Sequence, residues 1–381
     1  MFIQNTYELH ILINGLDITA APGCMLDHAI IHEDISDLIP TCELHFIVPN
    51  AIVDNESFVD GSLIEILLEA ADLDFKELLV FRLYQADFRL DQDFCNVSVF
   101  GFLDFYDGYR YNSTFNIYGS TSDVFNKIAD FYKLERSIDN TNDTQLWVAG
   151  EGNLYKYLNT MSQYGWVDET SGMFWCMDRH KILLYKNITS LFRNSSKNIW
   201  SFLQIQEPST KEKIFSYETA TTVIKAGEEN LTHEGYGGDD HYFNLTDYSW
   251  KTAVSKRVVA ESNILNINKD LSQGLAESWY PFDVGNFHPN YYNAKKQNKR
   301  VLSTFSTFVE LKSQFFMNYR IGQIVNFVYM DGRDIKNRIG LTSGKYMIKG
   351  IEINITPDSI TSSLVLVMQG LNGKTSLQNT Y

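Results

Sequence analysis

The sequence predicts a β-rich α+β protein: two barrel-like β domains, a small helix-containing α/β module between them, and an irregular insertion. Three observations predict it. Period-two alternation of apolar residues fills the first 110 or so residues and returns beyond residue 300. Two helical periodicities sit between those stretches, and residues 226–299 lack a period. At 381 residues, with 44% hydrophobic and 21% charged residues, the chain can bury several cores, so global disorder is excluded. Seven prolines and a 14% aromatic share suit strands.

Taken in order, residues 6–19 alternate well enough for two short strands about Asn14-Gly15, a dipeptide that favours a two-residue hairpin. Further strands are predicted over 41–48, 62–70, 78–91 and 95–106, with a turn at Asp60-Gly61. In Thr41–Val48, Cys42, Leu44 and Phe46 share a face before the pattern drifts to full burial. Five or six strands in so short a stretch make a barrel or sandwich, here residues 1–111.

The α/β module spans 112–205. A helix over Tyr118–Leu134 places Val124, Ile128 and Tyr132 at i, i+4 and i+8, with Ser120 or Thr121 to cap it and Asp123 in its first turn. A second helix over Gly152–Trp166 has Leu154, Tyr157, Leu158 and Met161 on one face, and Gly165 stands where it should end. A hairpin of Met173–Met177 and Lys181–Tyr185 follows.

Strand character resumes over Lys213–Lys225. Residues 226–299 read as long loops with a short helix near 290–299, which makes 236–299 an inserted subdomain. Val301, Phe305, Val309 and Leu311 share a face of the next strand region. After 319–330 a hairpin of Lys345–Ile355 and Ser362–Gly370 closes the chain, with a phase break at Gly350 that signals a β-bulge. The second β domain therefore comprises 206–235 and 300–371, and 372–381 forms a polar, flexible tail.

The charge is unevenly placed. Residues 1–110 hold 20 acidic against 4 basic side chains, whereas the remainder holds 27 against 28, so the net −15 belongs to the first domain. Such a field disfavours sequence-specific nucleic-acid binding. It fits either a solubilising surface or a channel wall along which DNA slides without sticking. No apolar run reaches the 18 residues of a membrane span, and the N-terminus lacks the basic and apolar regions of a secretory signal. Cys24, Cys42, Cys95 and Cys176 form no CxxC pair, which points to free thiols rather than disulfides or a metal site.

The motifs for metalloproteases, nucleophile elbows, P-loops and dinucleotide binding are absent. His28 and His32 have i, i+4 spacing, but Ala29-Ile30-Ile31 argue for extended backbone, in which they would not converge. His233, Asp239, Asp240 and His241, in a glycine-rich stretch, are weak candidate metal ligands beside the reading of a solvated polar loop. Acidic pairs such as Asp91/Asp93 arise by chance in so acidic a chain. Lys295–Arg300 reads as a solvated helix face. Trp279, Tyr280, Tyr291 and Tyr292 are interface candidates, or anchors for the insertion.

The order of these segments resembles the central hub of contractile-tailed phage baseplates and the related head of type VI secretion spike proteins. The resemblance rests on Ser120…Asp123-Val-Phe-x-x-Ile-Ala129, on Asn153-Leu-x-x-x-Leu158…Tyr164-Gly-Trp166 leading to Met173-Phe-Trp175, and on Arg320–Phe327 before a closing hairpin. It implies two tube-like β-barrel domains per chain. It further implies a homotrimer forming a pseudo-sixfold ring that joins the hexameric tail-tube protein to a trimeric spike, with DNA passing through unbound. It implies no catalysis and no cofactor, a place in the virion tail baseplate after synthesis in the host cytoplasm, and a separate spike chain, since no spike, OB or lysozyme segment is appended. Tail lumens of this family are commonly negative, so Glu65, Glu69, Asp87, Asp91 and Asp93 become candidates for the channel wall. The alternatives are a tail-associated peptidoglycan hydrolase and a carbohydrate-binding β-protein using exposed Tyr and Trp.

Overall fold

The computed structural model describes residues 8–53, 58–70, 75–105, 116–148, 152–195, 199–203, 214–224, 239–244, 247–254, 264–265, 278–283, 288–299, 301, 305–314, 318–329, 342–369 and 371–372. Seven strands form the first unit: β1 (Glu8–Ile13), β2 (Leu16–Asp17), β3 (Met25–Asp34), β4 (Thr41–Pro49), β5 (Leu63–Ala70), β6 (Phe75–Leu90) and β7 (Phe94–Leu103), with α1 (Asn50–Val53) after β4. They hydrogen-bond in the order β2-β1-β5-β6-β7-β4-β3. The Asn14-Gly15 turn forms as its residues require: both have positive φ (49° and 85°), and Ile13 pairs with Leu16. Burial in β4 alternates to its end, so Ile47 faces outward rather than joining a fully buried run. The sheet curls tightly at Gly101, where a Cβ would lie 2.9 Å from both Cys42 Sγ and Ile64 Cδ1.

The middle module contains β8 (Asn116–Gly119), α2 (Thr121–Tyr132), β9 (Arg136–Ile138), β10 (Gln145–Val148), α3 (Leu154–Ser162), β11 (Met173–Met177), β12 (Leu183–Asn187) and α4 (Ile188–Asn194). Ser120 caps α2 in a full capping box with Asp123, and Lys133 closes the helix in the left-handed conformation. Val124, Phe125, Ile128 and Ala129 are buried, and the Phe125 ring stacks on Tyr185 at 4.1 Å. Fully buried Asp143 ties the module together: it accepts from Thr121 N (2.8 Å), Thr121 Oγ1 (2.6 Å), Thr141 Oγ1 (2.7 Å) and Trp166 N (2.8 Å). α3 ends at Ser162 with Gln163 as its cap, so Gly165 serves close packing instead; a Cβ there would fall 1.7 Å from Tyr185 Oη.

Next come β13 (Ser201–Leu203) and β14 (Ile214–Ile224), then β15 (Asp239–Asn244), β16 (Ser249–Val254), β17 (Ile264–Leu265), β18 (Ser278–Asp283) and α5 (Tyr291–Lys299). The chain continues through β19 (Thr307–Gln314), β20 (Ile324–Val328), β21 (Gly344–Thr356), β22 (Ser359–Met368) and β23 (Leu371–Asn372). Strands β13, β14, β19, β22, β21 and β20 close into a six-stranded barrel. Strand β13 comes to it from the stretch whose pattern reads as middle module. Phe202, Tyr217, Phe327 and Tyr346 are buried; Tyr217 and Tyr346 lie 5.4 and 5.8 Å from Phe327. The bulge expected at Gly350 is present as a register slip between Ile348 and Gly350.

The loops expected over 226–299 include a three-stranded sheet, β16-β15-β18. The helix near 290–299 is α5, whose amides face inward: Asn298 Nδ2 donates to Gly165 O at 2.7 Å, and Gln297 Nε2 donates to Ser171 O. Strand β21 also pairs with β3, Gly350 opposite Asp34 through Ile355 opposite Ala29. The first unit and the barrel thus share one thirteen-stranded ladder, and one continuous apolar core runs through both and the middle module.

Candidate assembly surfaces and a buried joint

Eight strands follow one another without a break in the order β6-β7-β4-β3-β21-β22-β19-β14. A single row of facing residues crosses all eight: Arg82, Phe102, Thr41, His32, Glu352, Ser363, Lys312 and Thr219. None of these side chains is buried, so the ladder presents one continuous outward face. A second row joins Asp87, Ser98, His45 and His28. There the His28 and His45 rings stack at 4.3 Å, Ser98 Oγ lies 2.9 Å from His45 Nδ1, and His45 Nε2 lies 2.6 Å from Glu43.

Among the described residues both ends of this ladder are open. Register slips at Tyr84, and from there to Leu90 strand β6 pairs with β7 alone among the described residues. At the far end β14 pairs with β13 only over Ile214–Ser216, and beyond that with β19 alone among the described residues. Among the described residues each edge offers backbone donors and acceptors without a partner strand, the groups that recruit another strand. Beside the β6 edge lies a cleft of about 700 Å³ lined by Asn50, Val53, Phe88, Leu90, Asp91 and Gln92, with Leu90 70% exposed.

The five acidic residues fall in two groups. Glu65 and Glu69 share the outward face of β5, where Glu69 lies opposite Glu8 and bonds Lys76. Asp87 stands on the ladder face, and exposed Asp91 and Asp93 occupy the β6–β7 turn, held by Asn50 Nδ2 donating to Asp91 O (3.2 Å) and Gln92 O (2.9 Å).

His28 and His32 sit on one face of β3, four residues apart and so about 13 Å along an extended chain. His32 contacts Asp37 and His28 contacts Asp27. Asp239, Asp240 and His241 open β15 opposite Val254, Ala253 and Thr252, and His241 Nδ1 lies 3.0 Å from Thr252 Oγ1. His233 lies outside the described residues, among which no group of three potential ligands gathers. Trp279 and Tyr280 pair through their backbones with β15. Tyr291 stacks on Tyr164 at 3.9 Å and Tyr292 on Tyr242 at 4.3 Å, so both rings have partners within the chain.

Sequence reading misses a buried cluster of charge where the three units meet. The turn Asp178–Lys181, between the buried strands β11 and β12, drives Arg179 into the junction of all three units; its side chain is 0% exposed. Nη1 donates to Glu33 Oε1 of β3 at 2.6 Å, Nε lies 3.5 Å from Glu77 Oε1 of β6, and Nη2 donates to Tyr319 O, just before β20, at 3.1 Å. Asp178 Oδ1 accepts from His180 N and Ile182 N at 2.9 Å each, and Arg320 Nε lies 3.8 Å from its Oδ2. Burial pushes Glu77 up to about 7 against the pull of Arg179 and Arg320, and pushes Asp178 up to about 6. Burial, with the two guanidiniums, drives His180 down to about 3, so its imidazole is neutral.

No protein-family model matches this sequence, and no curated protein sequence matches it. Solved structures do resemble it. A tail protein from Neisseria meningitidis superposes with a TM-score of 0.58 at 10% identity, over 96% of this chain and 98% of its own. The 43 kDa tail protein of prophage MuSo2 from Shewanella oneidensis gives 0.58 at 9% identity, over 96% and 99%. The lidded PdpA–VgrG complex from Francisella gives 0.50 at 10% identity, over 97% of this chain and 54% of that one. At these identities the likeness is one of fold, and it runs through nearly the full length of both tail proteins: this chain has the fold of phage tail proteins.

Proposed function

We propose that the protein is a structural hub of a phage tail baseplate, a homotrimer whose ring joins the hexameric tail tube to a trimeric spike and surrounds the DNA channel. The eight-stranded ladder open at both ends carries this reading. In a closed ring, the β6 edge of one copy meets the β14 edge of the next, and three copies leave neither end of the eight-stranded ladder free. Each chain brings two β units joined through β3 and β21, so three chains present six units, the number a hexameric tube requires. The tail-protein fold and the full-length coverage support the same place in the virion.

The continuous outward face then lines the channel. Its two rows hold Thr41, Ser363, Thr219 and Ser98 beside three histidines, with Arg82 and Lys312 balanced by Glu352 and Asp87, a surface without the basic excess that would hold a polyanion. Asp87 belongs to that wall, and Asp91 and Asp93 to its rim. Native mass spectrometry tests the reading directly. A species near 132 kDa, three times the 43.9 kDa chain, is expected, and dimers or open-ended polymers argue against ring closure.

A further inference from the structure

The Asp178–Lys181 joint has a charge balance that its hydrogen bonds leave incomplete. Three carboxylates, Glu33, Glu77 and Asp178, face two guanidiniums, Arg179 and Arg320, with the neutral imidazole of His180 beside them. Around them, Asp34 pairs with Lys349 at 2.6 Å, and Asp104 is shared by Arg82 at 2.7 Å and Lys181 at 3.3 Å; these groups reach solvent, whereas Glu33 and Glu77 are 1% and 6% exposed. The Cys176 thiol next to the turn is neutral, its ionisation pushed up by burial. The inner cluster is therefore one positive charge short. A second observation locates the deficit. Among the described residues both Glu77 carboxyl oxygens and His180 Nε2 are buried without a well-formed hydrogen bond, although Oε1 stands 3.1 Å from Nε2 and 3.5 Å from Arg179 Nε. A proton on Glu77 supplies the missing positive charge and provides a donor for the imidazole nitrogen.

We propose that Glu77 carries this proton in the folded chain, making the Asp178–Lys181 turn a proton-dependent latch that grips both β units when protonated and loosens when the proton leaves. The proposal concerns a single chain and stands independently of ring assembly. Its pH direction follows from the raised ionisation of Glu77, which is near 7 in the fold against an ordinary 4.5. A carboxyl raised on folding contributes stability that is complete below its unfolded value and lost as pH rises through its folded value, here between about 4.5 and 7. Asp178, raised to about 6, acts in the same direction. His180, buried as the neutral base, acts oppositely and costs stability as pH falls below its ordinary 6.5.

Glu77→Gln separates these contributions, because the amide imitates the protonated carboxyl while His180 and Asp178 remain in both proteins. Urea unfolding of the full chain at pH 5 and pH 8, with amide exchange of residues 178–183, makes the comparison. At pH 5, half a unit above the unfolded value, the variant should exceed wild type by only about fourfold in its folding equilibrium constant. At pH 8 the variant should be the more stable, its folding equilibrium constant higher by up to about 300-fold, the two and a half pH units of the shift. Exchange in the turn should rise from pH 5 to pH 8, beyond its intrinsic increase, more in wild type than in the variant, where Asp178 alone still titrates upward of its ordinary range. A variant less stable than wild type at pH 8 overturns the proposal, since Glu77 would then act as an ionised partner of Arg179. Infrared spectroscopy of the Asp178→Asn protein, in which the other raised carboxyl is gone, decides the matter if the Glu77 variant fails to fold: a protonated-carboxyl band that disappears as pH rises through neutrality supports the latch, and its absence at pH 5 refutes it.

Discussion

Replacing Arg179 by Met keeps most of the side-chain volume and removes the charge at the centre of the three-unit junction. The guanidinium bonds Glu33 at 2.6 Å and the Tyr319 carbonyl at 3.1 Å, and lies 3.5 Å from Glu77, with no solvent exposure of its own. Its loss leaves the Glu33 side chain, 1% exposed, without its cationic partner. Removing one member of a buried ion pair costs about 3–5 kcal/mol, because the desolvated partner is left uncompensated. The cost should appear in urea unfolding at pH 7, followed by the fluorescence of Trp175 beside the joint and of Trp200 in the barrel unit. A control sets the scale: Arg136→Met removes the partner of Asp130, which is 68% exposed, and should cost less than about 1 kcal/mol. Adding Glu33→Gln to Arg179→Met should recover at least half of the loss by removing the stranded charge. A cost for Arg179→Met no larger than that of Arg136→Met, or a double variant less stable than the single one, would refute the view that this cluster holds the units together.

Two glycines are fixed by close packing. Gly101→Ala should destabilise by about 1–3 kcal/mol through contact with Cys42 and Ile64, and Gly165→Ala by more, because Tyr185 must leave its place; unfolding midpoints measure both. Reversing Glu65, Glu69, Asp87, Asp91 and Asp93 to Lys moves the net charge from −15 to −5. Assembly should survive this change, and genome delivery should slow several-fold at low salt; unchanged infection kinetics would count against a channel role.

The parts of this fold that are legible in sequence are those with local causes. Asn14-Gly15 dictates its own turn, Ser120 with Asp123 dictates a helix start, and the phase break at Gly350 dictates a bulge. Strand β3 shows only as extended backbone around Ala29–Ile31, because its outward positions alternate histidine with isoleucine instead of a clean polar set. Strands β15, β16 and β18 are rich in Asp, His, Asn and Ser, so their Tyr, Phe and Trp positions do not stand out as a period. The joint is hidden for another reason. Asp178-Arg179-His180-Lys181 has the composition of a solvated turn, and its partners lie more than a hundred residues away at Glu33, Glu77 and, on the other side, Tyr319. One signal was available: Glu33 occupies the same alternation phase as buried Ala29 and Ile31, and Glu77 that of Leu79 and Phe81. A carboxylate in the core phase of a strand requires a buried cation, and that search leads to Arg179. The open edges of β6 and β14 are equally invisible in sequence, since an edge is defined by which strand is missing beside it.

The most direct test of the central claim is cryo-electron microscopy of the purified chain at high concentration, alone and mixed with its tube and spike partners. The account predicts a threefold ring with six similar densities around a central hole and continuous strands crossing each boundary from β6 of one copy to β14 of the next. A particle that stays monomeric under all these conditions, or a ring whose copies meet through other surfaces while both edges remain open, would contradict it.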